Sequence, residues 1–362
     1  MPLTPLQTVL DIEPYKGGES TLPGVAKAVK LASNENPFGC SPKARAAAAA
    51  ALENTALYPE GSAKALREAI ARRYGLDANR IVCGAGSDEI FQLLLRAYLA
   101  PGEEIVQSQY AFLMYRIFAR PMGGVVRTAA NDGLRADVDA LLGQVTEKTR
   151  IVFLDNPNNP TGTYLPFSEV RRLHAGLPEN VMLVIDAAYA EYVSRNDYSS
   201  GVELVSEFDN VVMTRTFSKI HGLAALRVGW AYAPTSVIDA LNKVRLPFNV
   251  TTVGQAAAVA AIEDAAFADE SARHNERELA RVTAGIRALG FDVTDSFGNF
   301  VLVHFPQTKG RTAADCDAHL RSRGLIVRAV GAYGLPNCLR FSIGAEAQNT
   351  LALNAMTEFA RA

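Results

Sequence analysis

The sequence predicts an α/β protein: a large domain built on a mostly parallel seven-stranded sheet, followed by a smaller α+β domain. Three observations carry that expectation. From Ile81 to Tyr232 short apolar runs alternate with amphipathic helical patterns, the mark of a parallel sheet covered on both faces. A long helical stretch then runs from about Thr252 to Leu289. Beyond it strand and helix patterns no longer alternate regularly. At 362 residues the chain is long enough for two domains.

Residues 1–30 are rich in proline and glycine, including Glu13-Pro14-Tyr15-Lys16-Gly17-Gly18. They read as an arm with little core of its own, either disordered or packed on a partner subunit. The large domain is expected over 31–248, its first residues open to membership of the small domain, and the small domain over 249–362. Leu31 to Gly39 is an extended piece broken by Pro37 and Gly39. Ser41-Pro42 opens a helix with a cap residue and a proline in the first turn. Tyr58-Pro59-Glu60-Gly61 interrupts before a second helix over Ser62–Tyr74.

Strands are expected at Ile81–Cys83, Glu104–Ser108, Gly124–Thr128, Arg150–Leu154, Met182–Asp186, Val211–Thr216 and Val228–Tyr232. Helices lie between them at Asp88–Leu99, Tyr110–Ala119, Leu134–Val145 and Ser168–Ala175. The helical stretch after Thr252 breaks near Glu263–Ala266. Small-domain strands follow at Phe291–Asp295, Asn299–His304, Leu325–Ala329 and Leu339–Ile343, with helices at Thr312–Ser322 and Ala345–Arg361.

A formal net charge of -2 offers no general attraction to nucleic acid or anionic membrane, which favours a small-molecule substrate. No apolar run is long enough to span a bilayer, and the N-terminus lacks a signal or transit pattern, so a cytoplasmic location is expected. Cys40, Cys83, Cys316 and Cys338 are far apart and read as reduced thiols; no metal site is expected.

The chemistry concentrates at strand ends. Lys219 follows the apolar run Val211–Thr216 with no carboxylate in that stretch to pair it. A desolvated lysine is driven towards the neutral amine and can form a Schiff base. Thr216, Ser218 and Arg227 around it make a natural phosphate grip. Lysine carbonyl chemistry beside a phosphate site points to pyridoxal phosphate; a surface lysine is the plain alternative. Gly84 and Gly86 precede Ser87-Asp88-Glu89 at a helix start, which suits a phosphate or simply a turn. Asn158-Asn159-Pro160-Thr161-Gly162 follows another strand, at the edge where open sheets carry ligands. Asp186 ends the next, and a buried strand-end carboxylate needs a partner: a protonated pyridine nitrogen, a structural donor or a metal.

Together these stretches resemble the histidinol-phosphate aminotransferase family of fold-type I pyridoxal-phosphate enzymes. The resemblance runs nearly end to end. It rests on Asn34-Glu35-Asn36-Pro37, Tyr58-Pro59, Gly86-Ser87-Asp88-Glu89, Asn158-Asn159-Pro160-Thr161-Gly162, Asp186-Ala187-Ala188-Tyr189, Thr216-Phe217-Ser218-Lys219, Leu223 to Arg227, Tyr333-Gly334-Leu335-Pro336 and Leu339-Arg340. Ala225 stands where family members often have glycine.

The resemblance implies that Lys219 carries the cofactor and then shuttles the proton, and that Asp186 pairs with the pyridine nitrogen. It implies that Asn159 and Tyr189 bond the ring's phenolate oxygen and that Tyr110 stacks on the ring. Gly86, Ser87, Asp88, Thr216, Ser218 and Arg227 would hold the phosphate. Tyr58 would reach the neighbouring subunit's site in a homodimer. Arg328 and Arg340 would bind the substrate phosphate or carboxylate, with Tyr15 and Asn36 as further substrate contacts; either arginine could instead make a domain-interface ion pair. His221 receives no role.

The activity so implied is transamination of histidinol phosphate with glutamate or 2-oxoglutarate in histidine biosynthesis. An aromatic amino acid aminotransferase and a lyase of the threonine-phosphate decarboxylase type share much of this motif set, and a non-enzymatic binding protein would not need Lys219.

Overall fold

The computed structural model describes residues 3–15, 17–25 and 27–361. The main sheet contains β1 (Ile81–Gly84), β2 (Glu104–Ser108), β3 (Val125–Ala129), β4 (Thr149–Asp155), β5 (Met182–Asp186), β6 (Val211–Thr216) and β7 (Gly229–Tyr232). Their order is β1-β7-β6-β5-β4-β2-β3, and only β7 runs antiparallel to its neighbours. The expected seven-stranded, mostly parallel sheet is therefore present.

Each strand feeds two cores because successive side chains point to opposite faces. Leu183 and Ile185 of β5 pack with Leu66, Ile70 and Trp230 on one side. Met182 and Val184 pack with Phe91, Tyr115 and Phe153 on the other. Being buried on both faces explains the unbroken apolar runs of β4, β5 and β6. In register, Asp155 stands beside Asp186, and Asp186 beside Thr214. The carboxyl ends of three adjacent strands thus open onto one edge, where ligand sites of parallel sheets form.

The helical stretch divides where expected, into Thr252–Glu263 and Ala265–Ala288. The first of these sends Ala257, Ala258, Ala261 and Ile262 into the core that holds Ala44 and Leu66. The helix Thr252–Glu263 thus packs on the large unit's core. Its alanines meet the alanine-rich helix Pro42–Ala51, and small side chains on both let the two helices approach.

The small unit has a second sheet of β8 (Asp292–Thr294), β9 (Phe300–His304), β10 (Arg328–Ala329) and β11 (Cys338–Ser342), all antiparallel in the order β8-β9-β11-β10. The single strand expected over Leu325–Ala329 is split. Leu325–Ile326 pairs instead with Val29–Lys30 in parallel. The Leu31 N–H donates to the Ile326 carbonyl and the Ser342 N–H to the Leu31 carbonyl. Leu31 accordingly sits in the small unit's core with Val282, Phe291 and Phe341. The N-terminal segment reaches the site by lying along this sheet.

Two expected helices are shorter than their patterns. Tyr110–Ala119 is helical only over Met114–Ala119. Leu134–Val145 is helical over Val138–Gly143, where the Asp137 carboxylate caps the first turn by accepting from the Ala140 N–H. Among the described residues no helix is long and apolar enough to cross a membrane, and no cluster of metal-ligating side chains occurs.

Candidate active site

One cleft at the strand-end edge brings together Asp186, Lys219, Tyr189 and Asn159 with Ser87, Asp88, Thr216, Ser218 and Arg227. These residues come from four separate strand ends and the turns that follow them.

Lys219 lies on the turn beyond β6. Its Nζ donates to the Ser33 carbonyl at 3.3 Å and stands 5.8 Å from the centre of the Tyr189 ring. Burial, with the Arg340 charge adding to it, lowers its pKa to about 8. The neutral, nucleophilic amine is thus accessible near neutral pH.

Asp186 is buried at the end of β5. The Tyr115 hydroxyl donates to Oδ2 at 2.7 Å and the Thr214 hydroxyl to Oδ1 at 3.3 Å. Burial is the main force raising its pKa to about 6. Its neighbour Asp155 accepts from Asn158 Nδ2 at 2.8 Å and from the Asn159 N–H at 3.1 Å. Burial again dominates there, the Asp186 charge adding to it, and the pKa rises to about 7. A cation placed between such groups and the cleft would be strongly held.

The anion grip is built around Gly86, which has φ +81° just before the helix Ser87–Tyr98. A Cβ there would lie 2.6 Å from Arg227 Nη2, so the guanidinium rests against the helix start. Arg227 itself has φ +51° and donates to the Ala224 carbonyl at 3.1 Å and to Asp88 Oδ2 at 3.2 Å. Ser218 is tied to Thr216: its N–H donates to Thr216 Oγ1 at 3.1 Å. Free N–H groups at a helix start, two hydroxyls and a guanidinium suit a phosphate.

At the opposite wall Arg340 is buried and donates through Nη2 to the Ala32 carbonyl at 2.8 Å and through Nη1 to the Asn159 carboxamide oxygen. Its Nε has no hydrogen-bond partner among the described residues. Arg328 is its register partner across β10 and β11, and the Arg328 guanidinium stands 5.5 Å from the Tyr15 ring centre. Tyr15, Arg328 and Arg340 therefore lie in succession, and Arg340 meets the cleft through Asn159.

A model of the family described as aminotransferase class I and II matches residues 26–356. The chain belongs to that family. It is 54% identical over 362 residues to the histidinol-phosphate aminotransferase of Maricaulis maris (strain MCS10), covering all of both chains. It is 53% identical over 356 residues to that of Rhodopseudomonas palustris (strain HaA2), covering 98% of each. Its fold matches the crystal structure of histidinol-phosphate aminotransferase from Sinorhizobium meliloti in complex with pyridoxal-5'-phosphate. That match has a TM-score of 0.87 and 29% identity, with 92% of this chain and 91% of the other covered.

Asn36, Tyr110 and Tyr58 are not among the residues lining this cleft. Asn36 is buried with both ends of its carboxamide engaged: Nδ2 donates to the Ile220 carbonyl at 2.7 Å and to Ser271 Oγ at 3.0 Å, and Oδ1 accepts from the Phe38 N–H at 3.0 Å. It anchors the chain just after Lys219. Tyr110 packs beside Leu113, Leu302 and Tyr333, while Phe112 lines the cleft. The Asn158 amide holds the Tyr110 carbonyl at 3.0 Å, which fixes the backbone in that position. Tyr58 is 83% exposed and stacks on Phe248 with ring centres 4.7 Å apart, away from this chain's own cleft.

Other residues of the aminotransferase site carried no sequence-level role. Asp155 is one, although it ends an apolar strand just as Asp186 does; that same argument would have found it. Asn34 is another, and its hydrogen bond to Tyr189 comes from a segment 155 positions away. His221 packs on Phe217 outside the cleft, and burial lowers its pKa to about 4, so it is a neutral packing residue.

Proposed function

We propose that the protein is a pyridoxal-phosphate-dependent aminotransferase that moves the amino group of histidinol phosphate to 2-oxoglutarate in histidine biosynthesis. The observation carrying this reading is that the Lys219 amine, an anion grip and a buried carboxylate line one cleft. The donor set fits the cofactor. Gly86, Ser87, Thr216, Ser218 and Arg227 would hold its phosphate, and the missing Cβ at Gly86 is what lets the Arg227 guanidinium lie against the helix start. Asp186 would hold the proton of the pyridine nitrogen, and Asn159 with Tyr189 would bond the ring oxygen. When bound, the cofactor supplies an electron sink for the carbon that bears the amine.

The chain's own residues supply the rest. Lys219 Nζ, which burial drives towards its neutral form, would hold the cofactor and, once displaced by the substrate amine, would take the proton from the substrate carbon. Arg340 and Arg328 receive an anion. A guanidinium fork accepts phosphate and carboxylate alike, so one pair of arginines serves histidinol phosphate in one half-reaction and a dicarboxylate in the other. Two half-reactions in one site require ping-pong kinetics.

A homodimer belongs to this reading. Leu57, Tyr58 and Leu246 are 69%, 83% and 63% exposed, and Phe248 stacks on Tyr58. A second copy would cover this apolar surface and receive Tyr58 in its own cleft. The same reading puts the enzyme in the cytoplasm, with other enzymes of amino-acid biosynthesis.

The test is a donor screen with 2-oxoglutarate, comparing histidinol phosphate, phenylalanine and tyrosine. The expected result is the highest kcat/KM for histidinol phosphate. Dominant turnover of the aromatic amino acids would replace the substrate, and carbon dioxide release without amino transfer would replace the reaction.

A further inference from the structure

Behind Tyr189 runs a short hydrogen-bond chain whose direction is set by the backbone. Asn34 is 1% exposed with φ +55°, a conformation asparagine tolerates better than most residues. Its N–H donates to Ser342 Oγ at 2.7 Å. A backbone N–H donates only, so Ser342 Oγ accepts there, and the one acceptor it has for its own hydrogen among the described residues is Asn34 Oδ1 at 2.8 Å. That fixes the carboxamide: its oxygen faces Ser342 and its nitrogen faces Tyr189. Nδ2 donates to the Tyr189 hydroxyl at 2.9 Å. The phenol must then accept from Asn34, and its own hydrogen is free to point elsewhere.

Tyr189 lines the cleft, and its phenol, whose pKa burial pushes up to about 12, keeps that hydrogen over the working pH range. The Asn34 carbonyl is pinned in turn by Asn299 Nδ2 at 2.9 Å. Three consecutive residues therefore touch three site residues. The Ala32 carbonyl holds Arg340, the Ser33 carbonyl holds Lys219, and the Asn34 amide holds Tyr189. Ser342 lies two positions beyond Arg340 on β11, so the relay also ties Tyr189 to the small unit's sheet.

We propose that Asn34 and Ser342 are positioning residues that fix Tyr189 as a hydrogen-bond donor into the cleft and so lower the proton affinity of the cofactor oxygen it faces. This rests on the reading above, in which Tyr189 meets the ring oxygen of pyridoxal phosphate. A donor aimed at an oxygen stabilises its negative form; removing that aim raises the pH at which the bound cofactor loses its proton.

The measurement is the pH midpoint of the visible absorption change of the bound cofactor, with the cofactor dissociation constant alongside. Tyr189→Phe sets the full effect. Asn34→Gly, which keeps the backbone conformation accessible, and Ser342→Ala are each expected to move the midpoint upward by about 0.5 to 1 unit, a roughly three- to tenfold change in proton affinity. In a Tyr189→Phe background neither should move it further, because both act through that hydroxyl. An unchanged midpoint in Asn34→Gly or Ser342→Ala with cofactor bound overturns the inference. So does an undiminished shift in the Tyr189→Phe background. Absence of any cofactor band in the unmodified protein would instead remove the cofactor reading, and the inference with it.

Discussion

Asp155 and Asp186 stand side by side at the ends of adjacent parallel strands, in register and both buried. Burial raises both carboxyls, to about 7 and about 6, from an ordinary value of 3.8. Between those limits the folded, cofactor-free chain binds more protons than the unfolded chain, so its stability falls as pH rises. The contribution is complete below about pH 4 and lost as pH passes 6 and 7. Asp155→Asn mimics the protonated acid. Thermal melts of the cofactor-free protein should show it more stable than the parent near pH 8 and little changed near pH 5. A gain of equal size at both pH values would remove the argument from charge.

Lys219 offers a direct titration. With its pKa lowered to about 8 from 10.5, its modification by a small amine-directed reagent should follow a midpoint near 8 in the cofactor-free protein. The folded value lies below the unfolded one, so this group, opposite in sign to the two carboxyls, makes stability rise with pH between about 8 and 10.5. Lys219→Ala should lower turnover by about 10²- to 10⁴-fold or more, since it removes the proton carrier as well as the attachment point. Retention of full turnover would end the proposed mechanism.

The sheet was legible because burial on both faces writes itself as apolar runs, and β4, β5 and β6 could be placed within a residue or two. Asp186, Lys219 and Arg227 were legible because a charge at a strand end or after an apolar run needs a chemical reason. What stayed hidden depends on tertiary pairing. The alanines of Thr252–Glu263 do not say which core they join. Asn34 and Asn36 look alike in sequence, yet the first faces Tyr189 and the second faces Ile220 and Ser271. Their difference arises from the left-handed backbone at Asn34, which no periodicity reveals.

Two glycines should respond differently to alanine. At Gly222, φ is +65° and a Cβ would lie 1.8 Å from the Gly39 carbonyl oxygen, so backbone must separate from backbone. Gly222→Ala should cost at least about 2 kcal/mol of stability from conformational strain and the clash together. At Gly86 the added methyl meets the movable end of Arg227 instead. Gly86→Ala should fold with a smaller loss, while its affinity for pyridoxal phosphate falls. Melting temperature and cofactor titration on both variants separate the two outcomes; equal melting losses would contradict the geometry.

Phe248→Asp places a charge in the exposed apolar surface around Tyr58 and tests the proposed homodimer. Sedimentation should show the parent as a dimer and the variant shifted towards monomer, with turnover falling as Tyr58 leaves the neighbouring cleft. A parent that sediments as a monomer at full activity would refute the shared site.

Arg340→Lys tests whether the guanidinium fork, rather than positive charge alone, receives the substrate anion. Arg340 already donates through both terminal nitrogens, to Ala32 and to Asn159. An incoming phosphate or carboxylate would compete for the Asn159 side, and an ammonium cannot hold Ala32 and the anion in one plane. Losing a charge-assisted bidentate contact of about 1.5–3 kcal/mol should raise KM for histidinol phosphate and for 2-oxoglutarate together, roughly 10- to 100-fold, with a smaller effect on kcat. A change confined to one of the two substrates would show that they do not share this arginine. An unchanged KM for both would return Arg340 to a purely structural tie between the two sheets.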